Sequence, residues 1–289
     1  MSTELLDPMH IYYSIEQLQA YLNVERKKNS SIGFVPTMGA LHNGHLSLIA
    51  KSRELANVTI CSIFVNPTQF NNVEDLKKYP RTLEKDSKLL KDSECDVLFL
   101  PELSEMYPTG KATKHFNFGN IELVMEGKHR PGHFNGVGTI VSKFFDIVNP
   151  DFAFFGEKDY QQLAIISRLT EIENYSVKIV PCAVSRAEDG LALSSRNARL
   201  TTLQREAAPI IYKSILKAKK LVTSHSPIEI ERIVQKEIEK NLELKVEYIE
   251  ICDDKTLEKA TEWLENKTYR IFIASFCGDV RLIDNEQLN

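Results

Sequence analysis

From Ser31 to Cys182, short apolar runs alternate with stretches whose apolar residues recur at helical spacing. Residues 32–35 form a brief apolar run that ends at Pro36, and residues 44–56 place Leu46, Ile49 and Leu55 close to a helical period. Residues 58–65 are a stronger strand candidate, stopped by Asn66-Pro67. After Pro80, residues 81–92 read as a helix and 96–100 as the next strand, before Pro101. Residues 134–148 read as a helix closed by Asn149-Pro150, followed by strand 152–155, helix 159–173 and strand 177–180. Strand, helix and strand in succession imply right-handed crossovers and a parallel sheet, the α/β class.

Beyond Ser194 the pattern changes. Residues 201–222 carry one long helical pattern with Thr201 or Thr202 as its N-cap. Ser224-His225-Ser226-Pro227 reads as a short linker, and Pro227 suits the first turn of a following helix. Residues 246–251 and 269–276 alternate like antiparallel strands, with a hairpin at Cys277-Gly278-Asp279. The domain boundary is therefore placed at 185, giving segments 1–185 and 186–289. A chain of 289 residues suits this division, one α/β domain plus a smaller partner.

Charge narrows the function classes. With 36 basic and 40 acidic side chains the net charge is −4, which lacks the basic excess of a dedicated nucleic-acid binder. An anionic ligand must then be held by a local site rather than by a global field. The five cysteines have no short spacing, so they outline neither a disulfide framework nor a zinc site, and a reducing cytoplasm fits them. Met1 to Asp7 has neither a basic nor an apolar segment of a signal peptide, and no apolar run approaches the ~18 residues of a membrane span.

The most informative stretch is Pro36-Thr37-Met38-Gly39-Ala40-Leu41-His42-Asn43-Gly44-His45, between a predicted strand and a predicted helix. Gly39 and Gly44 would let the backbone approach a ligand, and the helix start offers N–H groups to phosphate. His42 and His45, three residues apart, share a face if both lie in the first turn, and their imidazoles can donate to phosphate oxygens. A plain strand-to-helix turn is the competing reading; the placement of both glycines favours a phosphate grip. No Gly-Lys-Ser/Thr follows, so this is not a Walker A loop.

Gly156-Glu157-Lys158-Asp159-Tyr160-Gln161-Gln162 lies at another strand end, where Lys158 could serve phosphate and Gln162 a polar substrate, or Asp159 could simply cap a helix. Asp189-Gly190-Leu191-Ala192-Leu193-Ser194-Ser195-Arg196-Asn197 offers two hydroxyls and an arginine to phosphate, with Gly190 as a hinge, or is a polar linker. Asp86 could reach a phosphate-bound ion or be an exposed helix carboxylate. The segment Glu126-Gly127-Lys128-His129-Arg130-Pro131-Gly132-His133 could face the site or be a surface loop.

Five motifs in one order carry a resemblance: Pro36 to His45, Phe64-Val65-Asn66-Pro67-x-Gln69-Phe70, Tyr79-Pro80-Arg81-Thr82, Phe155 to Leu163, and Ser194-Ser195-Arg196-Asn197. Together they resemble the pantothenate synthetases, the pantoate–β-alanine ligases; His-x-Gly-His alone would point only to the wider nucleotidyltransferase superfamily. The resemblance implies a Rossmann-like domain at 1–185 and a smaller α+β lid domain at 186–289, in a cytoplasmic homodimer. It implies ATP as substrate with Mg²⁺, pantoate and β-alanine as the other substrates, and neither nucleic acid nor membrane as a partner. Pantoate would attack the α-phosphorus of ATP to give pantoyl adenylate and pyrophosphate, and β-alanine would then release AMP.

Carried over by motif, Met38, Gly39, Ala40, Leu41, His42, Asn43, Gly44 and His45 would contact ATP, with His45 as proton donor and Met38 and Leu41 acting through their backbones. Gln69 would bind pantoate and β-alanine, and Gln162 pantoate. Gly156, Glu157, Lys158, Asp159, the backbone at Ser185, and Leu193, Ser194, Ser195 and Arg196 would complete the ATP site. His42, His45, Lys158, Ser194, Ser195 and Arg196 would stabilise the reacting phosphates, and Asp86 would stand near Mg²⁺. Three other readings share part of this pattern. A nucleotidyltransferase acting on a phosphorylated acceptor needs a second phosphate pocket. A class I aminoacyl-tRNA synthetase relative predicts a Lys-Met-Ser-Lys-Ser loop, where this chain has Leu-Ser-Ser-Arg. A nucleotide-binding regulator predicts no turnover.

Overall fold

The computed structural model describes residues 9–289, so the reading of Met1 to Asp7 lies outside the described residues. The chain divides into two compact units. One comprises residues up to 117 with 132–156 and 165–182; the other comprises 118–131, 157–164 and 183–289. The second unit thus takes in two pieces of chain that precede the boundary drawn from sequence at 185.

The first unit is built on a six-stranded sheet of order β1-β4-β3-β2-β5-β6, in which every pairing is parallel. Its strands are β1 (His10–Tyr12), β2 (Ile32–Thr37), β3 (Val58–Ile63), β4 (Val97–Phe99), β5 (Phe152–Gly156) and β6 (Lys178–Cys182). The central strands β2 and β3 are almost wholly buried, which explains their unbroken apolar runs: a parallel strand is covered on both faces. Helices Asn43–Leu55, Leu83–Asp92, His133–Val148 and Tyr160–Ile172 occupy the connections predicted for them. Val35, Leu41, Leu48, Ile49, Cys61, Leu98 and Phe154 share one core.

Strand order positions the site. From β2 the chain proceeds through β3 and β4 on one side, and β5 and β6 lie on the other. The order reverses between the neighbours β2 and β5, which pair through Gly33 with Phe152 and Phe34 with Ala153. Open α/β sheets bind ligands outside the carboxyl ends of strands at such a reversal. The loop after β2 carries His42 and His45, and the turn after β5 carries Lys158.

In the second unit β7 (Leu244–Asp253), β8 (Tyr269–Cys277) and β9 (Val280–Gln287) form an antiparallel sheet, with the predicted hairpin at Gly278. Helices Ile210–Leu221 and Pro227–Ile238 pack on it through Ile211, Ile215, Ile230 and Val234. The long helix expected over 201–222 is in fact two helices, Thr202–Ala207 and Ile210–Leu221, parted at Pro209. Proline has no N–H to continue the helical ladder. Thr201 is the expected N-cap, in a reciprocal box with Gln204.

All five cysteines are buried and unbridged, and burial pushes the Cys95 thiol up to about 12. They behave as small apolar fillers. No helix among the described residues is long and apolar enough to cross a membrane.

Candidate active site

At the end of β2, Thr37 donates from Oγ1 to the Ser62 carbonyl at 2.7 Å and accepts the Gly39 N–H at 3.2 Å. The backbone then turns through the left-handed region at two residues, Gly39 (φ 82°) and Ala40 (φ 50°). Glycine adopts that conformation without strain; alanine does not, and such strain persists only where the surroundings enforce it. Asp86 enforces it. Its two carboxylate oxygens accept the N–H groups of Ala40 and Leu41, each at 2.8 Å, and Thr82 Oγ1 donates to it at 3.0 Å. With 1% of its surface exposed, Asp86 is not the solvated helix carboxylate that its polar neighbours suggest. Both of its oxygens brace the loop.

The helix Asn43–Leu55 begins in an arrangement built from both histidines. His42 is the N-cap, and its Nδ1 accepts the Gly44 N–H at 3.1 Å. His45 reaches back so that its Nδ1 accepts the His42 N–H at 3.3 Å. A neutral imidazole that accepts at Nδ1 carries its proton on Nε2, so both rings become Nε2–H donors. The ring centroids lie 4.1 Å apart, and the first turn holds no acidic side chain to oppose an anion at the positive helix end. Gly44 has a different part from the one expected. It sits within the first helical turn, while the left-handed turn belongs to Gly39 and Ala40.

Gln69 lies in a short 3-10 turn after β3. Asn66 Nδ2 donates to its Oε1 at 3.2 Å, which leaves Nε2 as the donor end, 3.3 Å from the Met38 sulfur. The Met38 side chain is therefore part of this wall, not only its backbone. Asn66, 1% exposed, accepts Tyr107 Oη–H at 2.8 Å, and the ring of buried His133 meets the Gln69 carbonyl at 2.8 Å. Tyr107 had no role from sequence, while Asn66 entered only through the Asn-Pro-x-Gln string and His133 only through the segment that could face the site.

In the second unit, Lys158 sits in the 3-10 turn Glu157–Asp159 ahead of the helix that carries Gln162. Its side chain is 18% exposed, with Nζ 3.6 Å from Asp159. Gln161, beside Gln162, is structural. It is buried, its Nε2 donates to the carbonyls of Ile121 and Val124 at 2.7 and 2.8 Å, and its Oε1 accepts the Glu126 N–H at 3.0 Å. The stretch 185–197 is a tied hairpin rather than a loose linker: Leu193 N–H meets the Ser185 carbonyl and Ala187 N–H the Leu191 carbonyl, both at 2.9 Å. Gly190 (φ 94°) is its tip, where a Cβ would lie 2.5 Å from the Tyr212 ring. Asn197 Nδ2 closes the arc onto the Ala192 carbonyl at 3.0 Å, and Ser194 Oγ accepts the Arg196 N–H at 3.3 Å. Leu193, Ser194, Ser195 and Arg196 ride within this braced arc.

In the segment 126–133, Glu126 is buried and firmly held. Arg281 donates to both oxygens of Glu126 at 2.7 and 2.8 Å, Arg130 contacts it at 3.3 Å and Tyr248 Oη–H donates at 2.8 Å. Burial opposes the charge on Glu126, but the hydrogen bonds and charge of Arg281 outweigh it and bring the carboxyl down to about 2.

Compared with known proteins, residues 10–287 match the family model described as pantoate–β-alanine ligase. The chain belongs to the pantoate–β-alanine ligase family. It is accordingly an enzyme and a ligase. A pantothenate synthetase of Bacteroides thetaiotaomicron is 49% identical over 96% of this chain and 98% of its own length. One of Flavobacterium psychrophilum is 48% identical over 97% of this chain and 100% of its own. Among solved structures, the pantothenate synthetase of Thermus thermophilus superposes with a TM-score of 0.90 at 38% identity, covering 97% of this chain and 99% of that one. The pantoate–β-alanine ligase of Francisella tularensis, complexed with β-γ ATP and β-alanine, superposes with a TM-score of 0.81 at 39% identity, covering 96% and 97%.

Proposed function

We propose that the chain condenses pantoate with β-alanine through pantoyl adenylate, and that the loop after β2 and the turn after β5 act on one ATP. The observation that carries this is the loop at the carboxyl end of β2, where strand order reverses, which opens a helix with two imidazole donors in its first turn. A pantoate carboxylate oxygen bonds to the α-phosphorus, the bond from that phosphorus to the β-phosphate oxygen breaks, and pyrophosphate leaves. The free amine of β-alanine then attacks the acyl carbon; AMP leaves with the acyl bonding pair and the amine sheds its proton. The substrate carboxylate is the nucleophile, so the enzyme's task is positioning and charge stabilisation.

In this reading Met38, Gly39, Ala40, Leu41, His42, Asn43, Gly44 and His45 hold ATP, and His45 donates to the departing pyrophosphate. Gly156, Glu157, Lys158, Asp159, Ser185, Leu193, Ser194, Ser195 and Arg196 complete the grip, with 186–289 as the lid. Gln69 and Gln162 hold pantoate. Among the described residues no three His, Cys, Asp or Glu side chains gather as a metal cage. That fits Mg²⁺ brought in on nucleotide phosphates, its usual mode, where it would neutralise developing charge. A cytoplasmic homodimer belongs to the same proposal; buried free thiols suit a reducing compartment, and sedimentation reads the dimer.

The direct test is turnover with ATP, pantoate and β-alanine, followed as AMP and pantothenate. Formation of both supports the reading; ATP binding without turnover would leave a regulator, and a dinucleotide-like product a nucleotidyltransferase. Gln69→Ala is expected to raise KM for pantoate at least tenfold while the Kd for ATP stays within about threefold, because its donor end anchors a polar substrate. A matched loss of both affinities, read by calorimetry and initial rates, would remove Gln69 from the pantoate wall.

A further inference from the structure

The last strand holds a buried residue that no motif indicates. Asn285 on β9 is 2% exposed, and its Nδ2 donates to the carbonyls of Glu157 and Lys158, both at 2.9 Å. Its Oδ1 accepts Arg270 Nη1 at 2.6 Å. The Arg270 guanidinium in turn lies 3.9 Å from the Tyr160 ring centroid, and Tyr160 Oη–H donates to the Asp254 carbonyl at 3.2 Å. One carboxamide therefore fixes the turn that carries Lys158, and its own orientation is set by a buried arginine.

Its neighbour does the corresponding work on the other loop. Asp284 Oδ1 accepts the Asn285 N–H at 2.8 Å, and Arg186 grips both Asp284 oxygens at 2.6 and 3.0 Å. Arg186 also donates to the Gly190 carbonyl at 3.2 Å and lies 3.6 Å from the Tyr212 ring centroid. That guanidinium is thus committed both to the 185–197 hairpin and to β9. A continuous chain of direct hydrogen bonds runs from the Lys158 turn through Asn285, Asp284 and Arg186 to the hairpin bearing Leu193 to Arg196.

We infer that Asp284 and Asn285 form a positioning yoke for adenylation, which sets the spacing between Lys158 and the Ser194-Ser195-Arg196 arc. Neither residue touches ATP; each acts through the loop it holds. The inference rests on the proposed ATP site. Its physical content is that misplacing a phosphate-directed cation by about 1 Å costs on the order of 10²-fold in rate. Asn285→Asp keeps the volume and the arginine partner but turns the one nitrogen that donates twice into an oxygen facing both carbonyls. Asn285→Ala removes the donors without adding charge.

The experiment is pantoate-dependent exchange of pyrophosphate into ATP by the full chain, with wild type alongside. In both Asn285 variants the exchange rate should fall by roughly 10–10²-fold. KM for ATP should rise and KM for pantoate stay within about threefold. Arg186→Lys, which keeps charge but cannot grip both Asp284 oxygens, should raise KM for ATP in the same direction by a smaller factor. It carries the test if the Asn285 variants do not fold. Losses that track only the unfolded fraction, with both KM values unchanged, would make Asn285 a stability residue and overturn the yoke. So would folded variants exchanging at the wild-type rate. No exchange by wild type would instead remove the ATP-site reading beneath it.

Discussion

Replacing His45 by alanine is expected to slow pantoyl adenylate formation by roughly 10²–10⁴-fold, the range for loss of a positioned acid or donor. Two jobs are lost at once in that variant, and they can be separated. His45 Nδ1 completes the helix start by accepting the His42 N–H, a contact at 3.3 Å, while the tautomer this imposes puts a donor at Nε2. The capping half is worth only about 1 kcal/mol, roughly fivefold if it fed wholly into rate. His45→Gln isolates the other half. A glutamine at this third helical position can reach back to the N-cap amide as in ordinary capping boxes, so the helix start is kept. Its carboxamide can still donate a hydrogen bond but cannot give up a proton, so His45→Gln should lose the part of the rate that proton donation supplies while unfolding at nearly the wild-type temperature. Single-turnover release of pyrophosphate gives the rate and calorimetric melting gives the stability. Near-normal release from His45→Gln would make His45 a cap and hydrogen-bond donor but not a proton donor.

The same loop shows which parts of this enzyme are legible in sequence. Its strand-loop-helix setting is written locally, in an apolar run, a glycine and a polar helix start, and the structure has β2, the turn at Gly39 and the helix at Asn43 in that order. What braces the loop is not written there. Asp86 lies in a helix whose sequence, Leu-Glu-Lys-Asp-Ser, reads as a solvated face, and only the Ala40 and Leu41 amides, more than forty positions away, make its burial tolerable. The strand His10–Tyr12 escaped for a related reason. Three residues carry no periodicity, and the strand exists because β4 accepts it, His10 opposite Val97. Asn285 is the extreme case. Nothing around it marks a site, and its partners at Glu157 and Lys158 lie in the middle third of the chain. Pro209 failed differently: it was in plain view, but the helical period on both sides of it masked the break. Local patterns thus reveal the groups proposed to meet substrate, and hide the groups that brace them.

Glu126→Ala is expected to destabilise the chain by about 3–5 kcal/mol, the cost of stranding one half of a buried ion pair. The carboxylate side chain is 10% exposed and that of Arg281 19%, so removing the acid leaves a guanidinium largely shut off from water, with Glu247 alone to answer it at 2.6 Å. The pH dependence has a defined sign. Folding lowers the Glu126 carboxyl from the ordinary 4.5 to about 2, so its contribution is fully present above the ordinary value and is lost as pH falls through that window. Denaturant unfolding between pH 5 and pH 2 should therefore show a shallower acid dependence in Glu126→Gln than in wild type. Arg281→Met strands two carboxylates and should lose at least as much at neutral pH, yet regain ground in acid, where those carboxylates protonate. The double variant Glu126→Met with Arg281→Met should lose less than the two single losses added together, because neither charge is left alone. Strict additivity would mean that the two side chains, although hydrogen-bonded, do not stabilise each other. The position of this pair ties the result to the proposed ATP site. Glu126 fastens the segment 118–131 to the same unit that carries Lys158 and Arg196, and the Gln161 carboxamide beside Gln162 holds that segment from its other side. Stability lost at Glu126 should consequently appear first as local opening around residues 121–130, with amide exchange there rising before global unfolding.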